Sequence, residues 1–176
     1  MNELIAKIEQ WANDRNIIKG SKPIDQAMKL FSEFGELADN VGKGRDCRDD
    51  IGDVFVVLTI MCSQLGASIS QPIFSSNKEI LPKDITKNQV SKLGQQLTDL
   101  GLSVRYKSMP AHIFSNAVGL LEIIAEHHNT NLKECVKIAY DDIKDRKGIM
   151  SNGVFIKESD PAYESIIKAI EVNCGE

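Results

Sequence analysis

The chain has 176 residues and a mass of 19.5 kDa, close to the ~150 residues of one ordinary domain. Hydrophobic residues at 42% and charged residues at 26% supply a core and exclude global disorder. A net charge of −4, from 21 basic against 25 acidic residues, excludes a surface built to coat nucleic acid or an anionic membrane.

The first segment, Met1 to Arg15, alternates charged and apolar residues from Glu3 onward. It holds no uncharged stretch of the kind a secretory signal needs. The chain is therefore expected to stay inside the cell, in the cytoplasm. The longest apolar run, Val54 to Cys62 with Thr59 inside it, falls well short of the ~20 residues of a membrane-spanning helix. Cys47, Cys62, Cys135 and Cys174 form no CxxC pair, which reads as four thiols rather than a zinc site or a disulfide frame.

Helical rather than alternating periodicity runs between the few prolines and glycines, so the sequence predicts an all-α protein, one domain over 1–176. A first helix is expected over Asn2 to Asn16. A second starts near Ser21, with Pro23 in its first turn, and ends at Gly42 to Gly44. A third covers Asp46 to Leu65. The stretch Ala67 to Ile85, with Pro72 and Pro82, reads as loop. Helices follow over Thr86 to Lys107, Pro110 to His128 and Leu132 to Lys147, the last stopped by Gly148. Ser151-Asn152-Gly153 reads as a turn, Val154-Phe155-Ile156 as a short extended piece, and a final helix carries Tyr163, Ile166, Ile167 and Ile170.

At a constant offset of 63, Gln26, Lys29, Leu30, Leu37, Val41, Leu58 and Ile60 fall on Gln89, Lys92, Leu93, Leu100, Val104, Leu121 and Ile123. The predicted helix limits line up at the same offset. This points to a decayed helical-hairpin repeat, 22–66 and 86–128, whose two copies form a four-helix bundle, followed by a basic helix and tail over 131–158.

Glu33 and Glu36 are three apart on the second helix, and Asp50 and Asp53 three apart on the third, so each pair projects from one side of its helix. The second helix carries its apolar stripe at Ala27, Leu30, Phe31, Phe34, Leu37, Ala38 and Val41, which leaves Glu33 and Glu36 reading as solvated surface. On the third helix the stripe of Asp50 and Asp53 runs straight into Val57, Ile60 and Met61. Like charges ~4 Å apart there repel by about 4 kcal/mol at an effective dielectric of 20. Such a cluster asks for cations, and hard oxygen donors without His or Cys point to Mg²⁺ or Mn²⁺. Helix-dipole compensation accounts for Asp46, Asp49 and even Asp50, but not for Asp53. In the second copy the matching positions are Gln96, Asp99, Ile113 and Asn116, so three of the four carboxylates are gone.

The run Lys29-Leu30-Phe31-Ser32-Glu33-Phe34-Gly35-Glu36-Leu37, followed by Asp50-Ile51-Gly52-Asp53-Val54, resembles the MazG-type nucleotide pyrophosphohydrolases, relatives of the all-α dimeric dUTPases. Their signature is EExxE followed by ExxD. Ser32 and Asp50 depart from it, each standing where Glu is usual. The stretch from Ala139 through Gly148 to Glu158 is similar to the tail of MazG-like proteins of bacteria and their phages. The resemblance implies a four-helix-bundle site in which Glu33, Glu36, Asp50 and Asp53 bind Mg²⁺. It also implies cleavage of (deoxy)nucleoside triphosphates between the α and β phosphates, and a tendency to form homodimers. Guanosine alarmones or dUTP are alternative substrates of the same chemistry.

Cleavage of that bond requires neutralised phosphate oxygens and a water held in line, and no nucleophilic side chain. Which ligand acid takes the water's proton stays open. Lys29 lies one turn before Glu33 and has two roles open, reaching a phosphate or pairing with Glu33. Lys144, Arg146 and Lys147 crowd the end of the sixth helix. They serve either to compensate its dipole or, Arg146 and Lys144 first, to bind substrate phosphates. His127 and His128 diverge by about 100° on a helix and read as surface. The competing class is a non-catalytic helical interaction protein that keeps the bundle.

Overall fold

The computed structural model describes residues 1–67, 85–106 and 111–174. The chain is mostly helical, in the order α1 (Asn2–Asp14), α2 (Ile17–Gly20), α3 (Pro23–Lys43), α4 (Arg48–Gln64), α5 (Ile85–Ser103), α6 (Ala111–His127), α7 (Leu132–Ile143), β1 (Gly148–Ser151), β2 (Val154–Lys157) and α8 (Tyr163–Cys174). A 3₁₀ turn over Val104–Tyr106 extends α5. The loop expected over Ala67 to Ile85 lies almost wholly outside the described residues. No helix among those described is long and apolar enough to cross a membrane.

Local chemistry explains the breaks. The first helix ends at Asp14, short of the expected Asn16, and the short α2, which was not expected, follows Asn16, whose left-handed conformation (φ 56°) a short polar side chain tolerates better than most. Pro23 opens α3, where its missing N–H costs nothing, and Gly44 closes it in the left-handed conformation (φ 66°). Asn131 caps α7 by accepting from the Glu134 N–H at 3.0 Å.

The core is helix on helix. α4 is buried nearly all round from Val54 to Cys62, with α1, α3, α6 and α7 packed against it. α3 pairs with α4, α5 with α6, and α3 also meets α5. Displacing α4 by 63 residues reproduces the limits of α6. Every buried residue of α6, namely Phe114, Ala117, Val118, Gly119, Leu121, Ile124 and Ala125, falls on a buried residue of α4. The two hairpins therefore share one burial phase.

Two expectations near the C-terminus are corrected. α7 stops at Ile143, so Lys144 to Lys147 form a turn and not a helix end. Gly148 does not terminate a helix; it opens β1, where an added Cβ would lie 2.3 Å from the Ile156 carbonyl. β1 and β2 form an antiparallel hairpin with Ser151 opposite Val154. Its two-residue loop, Asn152 (φ 49°) and Gly153 (φ 81°), has the positive φ pair of a type I′ turn.

Candidate active site

The acidic residues lie where α3 and α4 pack together. On α3, Lys29, Glu33, Glu36 and Asn40 fall on one stripe, spaced by three or four residues. Contrary to the surface reading, Glu33 is buried (6% exposed), whereas Glu36 is exposed. Lys29 pairs with Glu33, so the second of its two open roles, pairing with that acid, is already met within the protein. Asn40 donates to the Asp50 carboxylate at 2.7 Å, joining the end of this stripe to α4.

On α4, Asp49 and Asp53 are one turn apart and Asp50 lies beside them. Burial pushes the Asp53 carboxyl up to about 7, with the negative charges of Glu33 and Asp49 adding to it. Asp50 is raised by burial and by Glu33, against the opposing hydrogen bond from Asn40. Asp49 is raised by burial and by the charges of Asp142, Asp50 and Glu33. All three aspartates thus feel the charge of Glu33 across the α3–α4 seam.

Arg146 reaches this cluster from the turn after α7. Its charge opposes the rise at both Asp49 and Asp53, and it pairs with Asp142. Two features place it there. Gly52, between the aspartates, lets α7 approach so closely that a Cβ would sit 2.3 Å from the Cys135 carbonyl oxygen and 2.6 Å from the Ala139 Cβ. Arg15 then clamps the turn: its Nε donates to the Arg146 carbonyl at 2.6 Å and its guanidinium to the Lys144 carbonyl at 2.9 Å. Arg15 itself stacks 5.0 Å from the Trp11 ring, and Trp11 meets Phe155 edge-on. That packing accounts for both aromatics.

The other predicted cations separate from the acidic cluster. Lys144 pairs with Asp141 at 2.8 Å. Lys147 lines a cleft of about 450 Å³ together with Arg146, Lys157, Glu158 and Ser159. The structure therefore brings Glu33, Asp50, Asp53, Lys29 and Arg146 together, leaves Glu36 exposed, and directs Lys144 and Lys147 elsewhere. Asp49, Asn40, Gly52, Arg15 and Lys157 were not singled out from the sequence. Asp49 was readable: it stands four residues before Asp53 and so shares its face.

The donor set suits a hard divalent cation in its chemistry, being all oxygen. Its present arrangement is different, because Glu33 is turned to Lys29 and Asp50 to Asn40. Among the described residues no group of three or more acidic, His or Cys side chains is gathered so that it could hold a metal ion.

No family model matches the chain, and no solved structure matches it. It is 32% identical over 158 residues to an uncharacterized 18.2 kDa protein in the rep-hol intergenic region of Haemophilus phage HP1, covering 79% of this chain and 97% of the phage protein. The chain belongs to the family of that phage protein.

Proposed function

We propose that the chain is a Mg²⁺-dependent nucleotide pyrophosphohydrolase, as the likeness to MazG-type enzymes implies, converting (deoxy)nucleoside triphosphates to monophosphate and pyrophosphate. The observation that supports it is the meeting of Glu33 from α3 with Asp49, Asp50 and Asp53 from α4, where burial and mutual repulsion raise Asp53 to about 7. Carboxylates crowded at a partly desolvated seam oppose folding unless a positive partner joins them, and perturbed acids in such settings mark functional sites.

Glu33, Asp50 and Asp53 would hold the cation, with Glu36 or Asp49 completing the set. When bound, Mg²⁺ or Mn²⁺ supplies charge neutralisation at the phosphate oxygens and lowers the pKa of a bound water. Arg146 exchanges Asp142 for phosphate oxygens, which its planar fork fits in pairs. Lys29, paired with Glu33, would turn to a phosphate once Glu33 is otherwise neutralised. The water's oxygen bonds to the α-phosphorus, the α–β bridging bond breaks, and a carboxylate of the cluster accepts the proton.

The test is pyrophosphate release from a panel of nucleoside and deoxynucleoside triphosphates, with dUTP and guanosine alarmones included, with and without Mg²⁺. The expected result is cation-dependent release that falls more than about a hundredfold in Glu33→Gln and Asp53→Asn. A second reading, a helical interaction protein without catalysis, is favoured by one observation: Lys29 and Asn40 already partner the acids, and among the described residues no group of three could hold an ion as arranged. A wild-type chain of normal helicity that releases no pyrophosphate from any member of the panel decides for it. Sedimentation of the same sample tests the homodimer that the resemblance implies.

A further inference from the structure

The second hairpin keeps the frame of the first but has lost three of its four carboxylates, and what replaces two of them lines a cavity. Lys92, Gln95 and Gln96 on α5 face Asn116, Gly119, Leu120 and Ile123 on α6 across a space of about 260 Å³. At the offset of 63 residues Lys92 stands where Lys29 does, Gln96 where Glu33 does, and Asn116 where Asp53 does. The residues at the positions of Glu33 and Asp53 are joined here: Asn116 donates to the Gln96 side-chain oxygen at 3.5 Å.

We infer that this cleft between α5 and α6 is a second, cation-independent site that takes a nucleoside 5′-monophosphate. Carboxamides come from Gln95 and Gln96 of α5 and Asn116 of α6, and the rest of the α6 wall is apolar, from Leu120, Ile123 and the bare backbone of Gly119. An apolar wall accepts the flat face of a heterocycle, and carboxamides match the mixed donors and acceptors on a base edge. The Gln96–Asn116 contact is longer than the usual 2.7–3.2 Å, so a base edge displaces it at small cost. It also leaves the Gln96 amide NH₂ and the Asn116 carbonyl oxygen free to form new bonds.

Charge and size narrow the ligand. The lining contains no carboxylate and a single cation, Lys92, so nothing in it calls for a divalent ion and one phosphate group is what it can balance. The volume lies just below the ~300 Å³ at which pockets for drug-sized ligands begin, which admits one base and excludes a dinucleotide. The inference stands apart from the hydrolytic reading, because it concerns the other hairpin and needs no metal.

The experiment is a titration of the full chain in EDTA with each of the common nucleoside 5′-monophosphates, followed by the methyl resonances of Leu120 and Ile123 and by calorimetry. Saturable shifts of those methyls with at least one base are expected. The affinity should fall about tenfold or more in a Gln96→Leu, Asn116→Leu double variant and in Leu120→Trp, which fills the cleft, while both retain wild-type helicity. Asp53→Asn should bind as the wild type does, whether or not it hydrolyses triphosphate. No saturable shift with any base, retained affinity in both cleft variants, or loss of binding in Asp53→Asn each overturns the inference.

Discussion

The α3–α4 and α5–α6 hairpins have matching limits and burial phase, yet the first gathers Asp49, Asp50 and Asp53 where water is scarce, whereas in the second burial raises Glu122. Asp53 is partly buried and raised to about 7, whereas its counterpart Asn116 is exposed. The difference arises from what lies outside the hairpins. α4 carries Gly52, against which α7 packs through backbone contact, and Ser115 stands at the equivalent place in α6. A flanking helix thus converts an ordinary acidic stripe into a desolvated cluster, while the same frame without that cover remains a neutral cleft.

The comparison breaks most severely at Gly52. Substituting Val there places a side chain into the Cys135 carbonyl and Ala139. Overpacking against backbone should cost about 3 kcal/mol or more, outweighing the ~1 kcal/mol of helix propensity that leaving glycine gains. Urea denaturation measures it, and Ser115→Ala should stay within about 0.5 kcal/mol of wild type.

Next in size is the pH dependence contributed by Asp53. Its folded pKa is raised from 3.8 to about 7, so the native state binds a proton more tightly than the unfolded chain does. Stability from this group is full below the unfolded value and is lost as pH rises through about 7. In EDTA, Asp53→Asn should therefore equal the wild type near pH 4. Near pH 8 it should exceed the wild type by an amount on the order of 2 kcal/mol, read as a difference in denaturation midpoint. A constant difference across that range would remove the acidic cluster as the distinguishing feature of the first hairpin.

Arg15→Ala should cost about 2 kcal/mol, since the carbonyls of Arg146, Lys144 and Trp11 lose a charged donor and the Trp11 ring loses its cation. Amide exchange in 144–147 should quicken more than elsewhere. The smallest effect is expected from Asn40→Ala, about 1 kcal/mol. It should also raise the Asp50 pKa further, because the hydrogen bond that lowers it is gone, and carboxyl NMR titration reads this directly.

Much of the fold was legible because helices announce themselves locally. Pro23 and Gly44 bracket α3, the apolar run marks α4, and Asn152-Gly153 marks the hairpin. The end of α7 was misread because Lys144 to Lys147 carry no Gly or Pro before Gly148, and the Arg15 clamp that holds the turn comes from about 130 residues earlier in the chain. Within the site, spacing found Asp50 and Asp53 as a pair near the core. It misjudged Glu33 as solvated and left Asp49 to the helix dipole, because exposure depends on neighbours that periodicity cannot name.

The order of residues alone determined an all-α chain, two hairpins in one phase, and acids paired at three-residue spacing on α3 and on α4, since each follows from side-chain direction along a helix. Tertiary packing decided which of those acids lose water, which cation approaches them, and which of the two hairpins became neutral and open. Desolvation and through-space charge act between segments distant in sequence, and only the folded chain sets those distances.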